Sequence, residues 1–430
     1  MTKQNNPSRN SIPGPDDITR VVLDNDITIL TRDNFNSPSV VLQGYLPGGS
    51  LYDPQGQLGL AHFTATSLMR GTQYHSFQEI YNSLESVGAS LGFGASVHNI
   101  NFGGRALAED LSLLLELLAG CLYTPVFPQE HVERLRAQFL TNLAIREQDT
   151  EERASLALDE TLFPNHPYGR PEDGYPDSIR SIQRENLVQF HQKNFGPRGM
   201  VIVVVGAVTA DRVIELVQSK LGDWINDRQS SSYSLPDYQP LIKTVRQHIP
   251  LPGKSQTDLL IGMHGPCRTA PEYLAASLGN NILGQFGMMG RIGDAVRERA
   301  GLAYHASTSL NSWQQGGSWE VSAGVNPANL QRTIDLILQE LQRFVQETVS
   351  LEELQDSQAN YIGRLPLSLE SNAGVAGALL NLERFQLGLD YYRLYAQNVS
   401  KITPDAILEA ARKYIHTDRL AIISSGPDLE

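Results

Sequence analysis

Cysteine is almost missing from this chain: 430 residues contain two, Cys121 and Cys267. Two thiols in so long a chain make neither a disulfide framework nor a thiolate metal cluster, and a reducing, cytoplasmic setting is expected. Long apolar runs are missing too. The longest, Leu111 to Val126, is interrupted by Ser112 and Glu116 and falls short of the ~20 residues that span a bilayer, so no membrane span is expected. Residues 1–17 are polar, rich in Pro, Asn and Ser, and lack the apolar core of a secretory signal; they read as a flexible tail. Positive charge is in deficit. A net charge of −13, with no Lys/Arg run interleaved with aromatics, repels phosphate backbones and argues against nucleic acid as a partner. What is present is an ordinary globular composition, 41% apolar and 19% charged without low-complexity tracts, in a chain long enough for more than one core.

An internal repeat organises that length. Ile182 to Gly206 (IQRENLVQFHQKNFGPRGMVIVVVG) aligns without a gap on Ile402 to Gly426 (ITPDAILEAARKYIHTDRLAIISSG). Both segments predict a helix, a turn and a buried strand. Leu187, Phe190 and Phe195 correspond to Ile407, Ala410 and Ile415 as the inward stripe, and Lys193 to Lys413 in the last helical turn, where a cation complements the helix dipole. Val40 to Tyr45 corresponds to Leu259 to Met263, and Gly104 through Leu111 to Gly324 through Leu330. Each half reads as strand, helix, helix, strand, strand, a long amphipathic helix, further helices, then a final helix and strand. That is an α+β pattern of two homologous domains, 18–225 and 256–430, each a mixed sheet with helices. Residues 226–255, with Pro236, Pro240, Pro250 and Pro252, read as the linker.

Gly59 to Thr72, GLAHFTATSLMRGT, resembles the metal-binding helix of the pitrilysin, insulysin and mitochondrial processing peptidase family, the inverzincins. In that family H-x-x-E-H places two histidines on one helical face to hold zinc, with the glutamate as general base. Here His62 fills the first ligand position, Ala65 stands at the base and Thr66 at the second histidine. The third ligand, a glutamate on a helix opening with Glu-Arg, falls on Asn142, downstream of Glu133-Arg134. Catalytic zinc requires three protein donors, and the resemblance therefore implies a degenerate site that binds no metal. A rescue through His75 or His98 would lack helical spacing from His62.

The second half keeps more of the pattern. Leu278 to Ser307, LGNNILGQFGMMGRIGDAVRERAGLAYHAS, is similar to the family's C-terminal-domain segment ending R-E-x-x-G-L-A-Y. Arg297 and Tyr304, seven residues apart, match the pair by which such peptidases engage substrate. By the resemblance, Tyr304 donates its hydroxyl hydrogen to the oxyanion and Arg297 bonds substrate carbonyls. The alternative is an Arg297 paired with Glu298 or Asp294 and a Tyr304 that is only a strand residue. Gly301 is placed to end the helix before Tyr304. The spacing of Gly284, Gly287 and Gly290 fits no phosphate loop. In processing peptidases a glycine-rich loop of the noncatalytic chain touches substrate; the alternative is a plain turn between helices.

The resemblance spans about Arg20 to Gly426. It implies half of a clam-shell chamber and a noncatalytic, substrate-binding subunit, inert alone. Its partner would be a homologous zinc-bearing chain that supplies the metal, with unfolded peptides as substrates; a homodimer is conceivable in isolation. One rival is a peptidase-like scaffold or peptide-binding protein without hydrolysis. Another is a hydrolase using Ser67, which lacks a Gly-x-Ser-x-Gly elbow.

Overall fold

The computed structural model describes residues 12–230, 234–285 and 290–429. Among them, two sheets are formed. The first contains β1 (Thr19–Val22), β2 (Thr28–Asp33), β3 (Ser39–Pro47), β4 (Ser90–Ala95), β5 (Asn99–Leu107) and β6 (Val201–Gly206). The second contains β7 (Val245–Pro250), β8 (Thr257–Gly265), β9 (Ala303–Trp313), β10 (Gly316–Val325) and β11 (Ala421–Gly426). Their spatial orders are β1-β2-β6-β3-β5-β4 and β7-β11-β8-β10-β9. From β2 onward the orders coincide strand for strand. The senses coincide as well: β6 runs parallel to β2 as β11 does to β7, and the remaining neighbours are antiparallel in both sheets. The sequence repeat is thus a repeat of topology, and the chain has the expected α+β fold with two mixed sheets.

Local sequence explains the elements. The valine-rich β6 is buried along its whole length, as befits a strand covered on both faces. The aligned stripe residues Leu187, Phe190, Phe195, Ile407, Ala410 and Ile415 are all buried. The helix Leu330–Gln346 buries Leu330, Ile334, Ile337, Leu341 and Phe344 at helical spacing. Opposite it, β10 turns Trp319, Val321, Ala323 and Val325 inward, and Trp319 meets Phe344 with ring centroids 6.5 Å apart. Residues 226–255, read from their prolines as a linker, include β7, whose exposed pattern and terminal Pro250 suit an edge strand.

By contacts the chain divides into two compact units, neither continuous in sequence. The first takes its described residues from 1–139, 172–233 and 363–396, the second from 140–171, 234–362 and 397–430. The cause is an exchange of equivalent helices. Thr150–Leu162, from the first half of the chain, packs on β8 and β11 of the second sheet; its counterpart Asn372–Arg384 packs on β3 and β6 of the first. In the second unit, Gly262 of β8 makes room for the visiting helix, since a Cβ there would come within 2.7 Å of Leu158 Cδ1. In the first, Val375, Leu379 and Leu382 join Leu30, Tyr45 and Val203 in one core, and Arg20 grips Glu383 through bonds of 2.8 and 2.9 Å. No helix among the described residues is long and apolar enough to cross a membrane.

Candidate functional site

The helix Leu60–Ser67 carries the first candidate site. Its entry is fixed by Gly59, at φ +93°, in a conformation that L side chains rarely adopt; a Cβ there would also lie 2.8 Å from the Asp173 carbonyl oxygen. Asp53, which the sequence reading missed, accepts from the Gly59 and Ala61 N–H groups, each at 2.8 Å. A buried aspartate preceding a Gly-x-Ala start is the signal that could have found it, because the first N–H groups of a helix need acceptors. Ala61 and Phe63 are buried. Thr72 accepts from the His75 N–H at 3.0 Å. The motif's retained neighbours thus have structural work independent of metal.

The positions at which the motif carries its chemistry hold other residues here. His62 packs against Phe139 with its ring tilted, centroids 5.1 Å apart, and burial holds its imidazole below the ordinary pKa, against the opposing pull of the Asp173 carboxylate. Ala65 is buried. The Thr66 hydroxyl donates back to the His62 carbonyl at 2.9 Å. Asn142 lies exposed on the helix Gln129–Arg146. A methyl group, a hydroxyl committed to its own helix and a carboxamide do not replace the donors that zinc requires, so the residues present do not fit the ion. Among the described residues no three His, Cys, Asp or Glu side chains come together as a metal would need, His75 and His98 included. The Ser67 hydroxyl donates to the Phe63 carbonyl at 2.7 Å, a structural bond within the helix.

The second candidate site lies where a π-type helical turn, Asp294–Arg299, leads into β9. Gly301, at φ +63°, ends the turn as expected, its N–H donating to the Arg297 carbonyl at 3.1 Å. The β9–β10 register then shifts: His305 pairs with Gly324 and Ala303 with Val325, leaving Tyr304 as the extra residue of a β-bulge. Bulges re-aim side chains, and Tyr304 is 86% exposed on a strand at the sheet's edge. Arg297 is less available. Its side chain is 22% exposed and forms an ion pair with Glu298, with Nε to Oε1 at 2.9 Å. The surface pairing weighed as the alternative is therefore present, while the tyrosine stands open.

The glycines nearby have a packing explanation. A Cβ on Gly290 would lie 2.4 Å from Gly284 Cα, and one on Gly284 would lie 2.7 Å from Thr308 Cγ2. These two residues therefore allow backbone to approach backbone and β9. Gly287 lies outside the described residues.

Comparison with known proteins bears on this geometry. Residues 28–172 match the family described as Insulinase (Peptidase family M16), and residues 181–361 match the Peptidase M16 inactive domain. An uncharacterised zinc protease of Mycobacterium leprae is 25% identical over 83% of this chain and 80% of its own length. The mitochondrial-processing peptidase subunit beta of Saccharomyces cerevisiae is 24% identical over 94% of this chain and 90% of its own. Among solved structures, a peptidase M16 inactive domain from Pseudomonas fluorescens superposes with a TM-score of 0.88 at 25% identity, covering 96% of this chain and 98% of the other. A protease from Helicobacter pylori gives 0.86 at 19% identity, with 97% and 100% covered. Two sheets of matching topology, a metal helix kept in outline and matches spanning both halves lead to one conclusion: the chain belongs to the M16 peptidase family.

Proposed function

We propose that this chain is the noncatalytic, substrate-engaging subunit of a heterodimeric M16 metallopeptidase that acts on unfolded peptides within a closed chamber, the zinc residing on a homologous partner. The observation that carries this reading is an asymmetry between the two halves. His62 keeps company with Ala65, Thr66 and Asn142, none of them a competent donor or base, whereas Tyr304 is retained and 86% exposed at a bulge. A phenol so placed is available to a substrate held by another chain. Its O–H would donate to the carbonyl oxygen that gains charge during attack, and Arg297, released from Glu298, would bond a neighbouring peptide carbonyl. The family relationship to a processing-peptidase beta subunit supports a two-chain arrangement.

The test is to purify the chain, mix it with a zinc-bearing M16 protein from the same source, and follow cleavage of a quenched fluorescent peptide. Activity is expected only in the mixture. Tyr304→Phe should lower kcat by roughly 10²–10³, the usual loss for an oxyanion donor, without weakening assembly. Unchanged kcat would remove Tyr304 from the chemistry; failure of any such protein to assemble with the chain would overturn the heterodimer. A second reading, a peptide-binding scaffold without proteolytic role, is favoured by the Arg297–Glu298 ion pair and predicts assembly without cleavage.

A further inference from the structure

On the first sheet, the helix Asn372–Arg384 lies over β6 and β3. Beyond it the same face continues onto β5 and β4, where three of six positions are glycine. Cross-strand rungs there are Tyr45–Asn101–Gly94, Gln43–Gly103–Gly92 and Val41–Arg105–Ser90, and the alternation of strands puts all nine residues on one face. Phe93 and Phe102 occupy the other face, their ring centroids 6.4 Å apart. A Cβ on Gly92 or Gly94 would meet nothing within 4 Å, and one on Gly103 nothing closer than the Leu42 carbonyl oxygen at 3.7 Å. The result is an open trough floored by three glycines, its rungs about 7 Å apart.

A cation stands at each end. The Arg384 guanidinium lies 4.8 Å above the Tyr45 ring, and its Nη2 donates to Asn101 Oδ1 at 3.0 Å. Its Nε is buried without a partner. The adjacent Glu383 is committed to Arg20 at 2.8 Å, and among the described residues no carboxylate pairs with Arg384. Two rungs away, exposed Arg105 likewise has no carboxylate partner among the described residues. In a chain of net charge −13, a largely desolvated guanidinium with only neutral neighbours is costly to keep. An anion supplied from outside would offset that cost.

We infer that this trough binds an extended acidic peptide segment. One carboxylate rests on Arg384, a second, four residues along, reaches Arg105, and the intervening backbone lies over Gly94, Gly103 and Gly92, where no side chain holds it off. The spacing fits: residues four apart in an extended chain share a face and lie roughly 13 Å apart, the same as the first and third rungs. The inference rests on the reading that the chain engages peptide, and it adds the charge and spacing of what is engaged.

The experiment uses the full chain alone and a fluorescein-labelled decapeptide of Ala, Ser and Thr with Glu at positions 4 and 8, beside its Gln analogue, in fluorescence anisotropy. The Glu peptide should bind at least tenfold more tightly at low salt, with the advantage shrinking as salt rises. Arg384→Met should erase the preference. Gly94→Val should weaken binding of the Glu peptide at least tenfold while leaving thermal stability unchanged or higher, since the position is open and valine suits a strand. Equal binding of both peptides, or a preference that survives both variants, overturns the trough while leaving peptide engagement standing. Absence of binding by either peptide overturns the trough as well, and the two-chain cleavage assay then decides the broader reading separately.

Discussion

At the scale of single residues, the helix Leu60–Ser67 separates geometry from chemistry. Gly59, Ala61 and Phe63 are held by backbone conformation, an acceptor on Asp53 and burial; these demands persist whatever the helix binds. Ala65 is buried as well but offers only a methyl group, and the Thr66 hydroxyl is satisfied by its own helix. The same separation applies to Gly290. Because a Cβ there would meet Gly284 Cα at 2.4 Å, Gly290→Ala should cost about 1–3 kcal/mol by overpacking, read as a lower midpoint in urea. A midpoint equal to wild type would mean that the segment relaxes freely and that the glycine is not there for packing.

At the scale of elements, the helix Arg184–Asn194 carries a pH dependence. His191 bonds the Leu122 carbonyl at 2.8 Å and packs against Phe195 at a tilt, ring centroids 4.7 Å apart; burial pushes its pKa from 6.5 down to about 4, against that hydrogen bond. Above pH 6.5 folded and unfolded chains both carry the neutral ring, and His191 contributes no slope. As the pH falls from 6.5 toward about 4, the unfolded chain takes up a proton that the folded chain refuses, and stability is lost, on the order of 3 kcal/mol. His191→Gln should flatten that part of the stability profile in urea titrations at pH 7, 5.5 and 4.5. An identical slope in the variant would assign the acid sensitivity to other groups. His62, His166 and His264 are depressed in the same direction by burial and should retain their share of it.

At the scale of the whole molecule, the exchanged helices bind the halves together. Each sheet is completed by a helix from the other half of the sequence, Thr150–Leu162 on one and Asn372–Arg384 on the other. Cutting the chain before Val245 and producing the pieces separately should therefore give two poorly packed products with weak near-ultraviolet dichroism, because Leu158 or Leu379 would have lost its core. Co-production should restore the native spectrum. Two independently folded pieces would show that the exchange is dispensable.

Much of this was legible in the residues. Repetition at a constant offset fixed the order of strands and helices, since an apolar stripe and a buried valine run dictate a helix and a strand wherever they occur; the identities of Ala65, Thr66 and Asn142 are likewise plain in the sequence, because donor chemistry belongs to the side chain itself. Other features were not legible. The helix exchange, the bulge that exposes Tyr304 and the unpaired Arg384 beside bare glycines all depend on which segments meet across long stretches of chain. Local sequence sets what each segment can form; only the packed tertiary structure decides which surfaces it covers and which charges it leaves without partners.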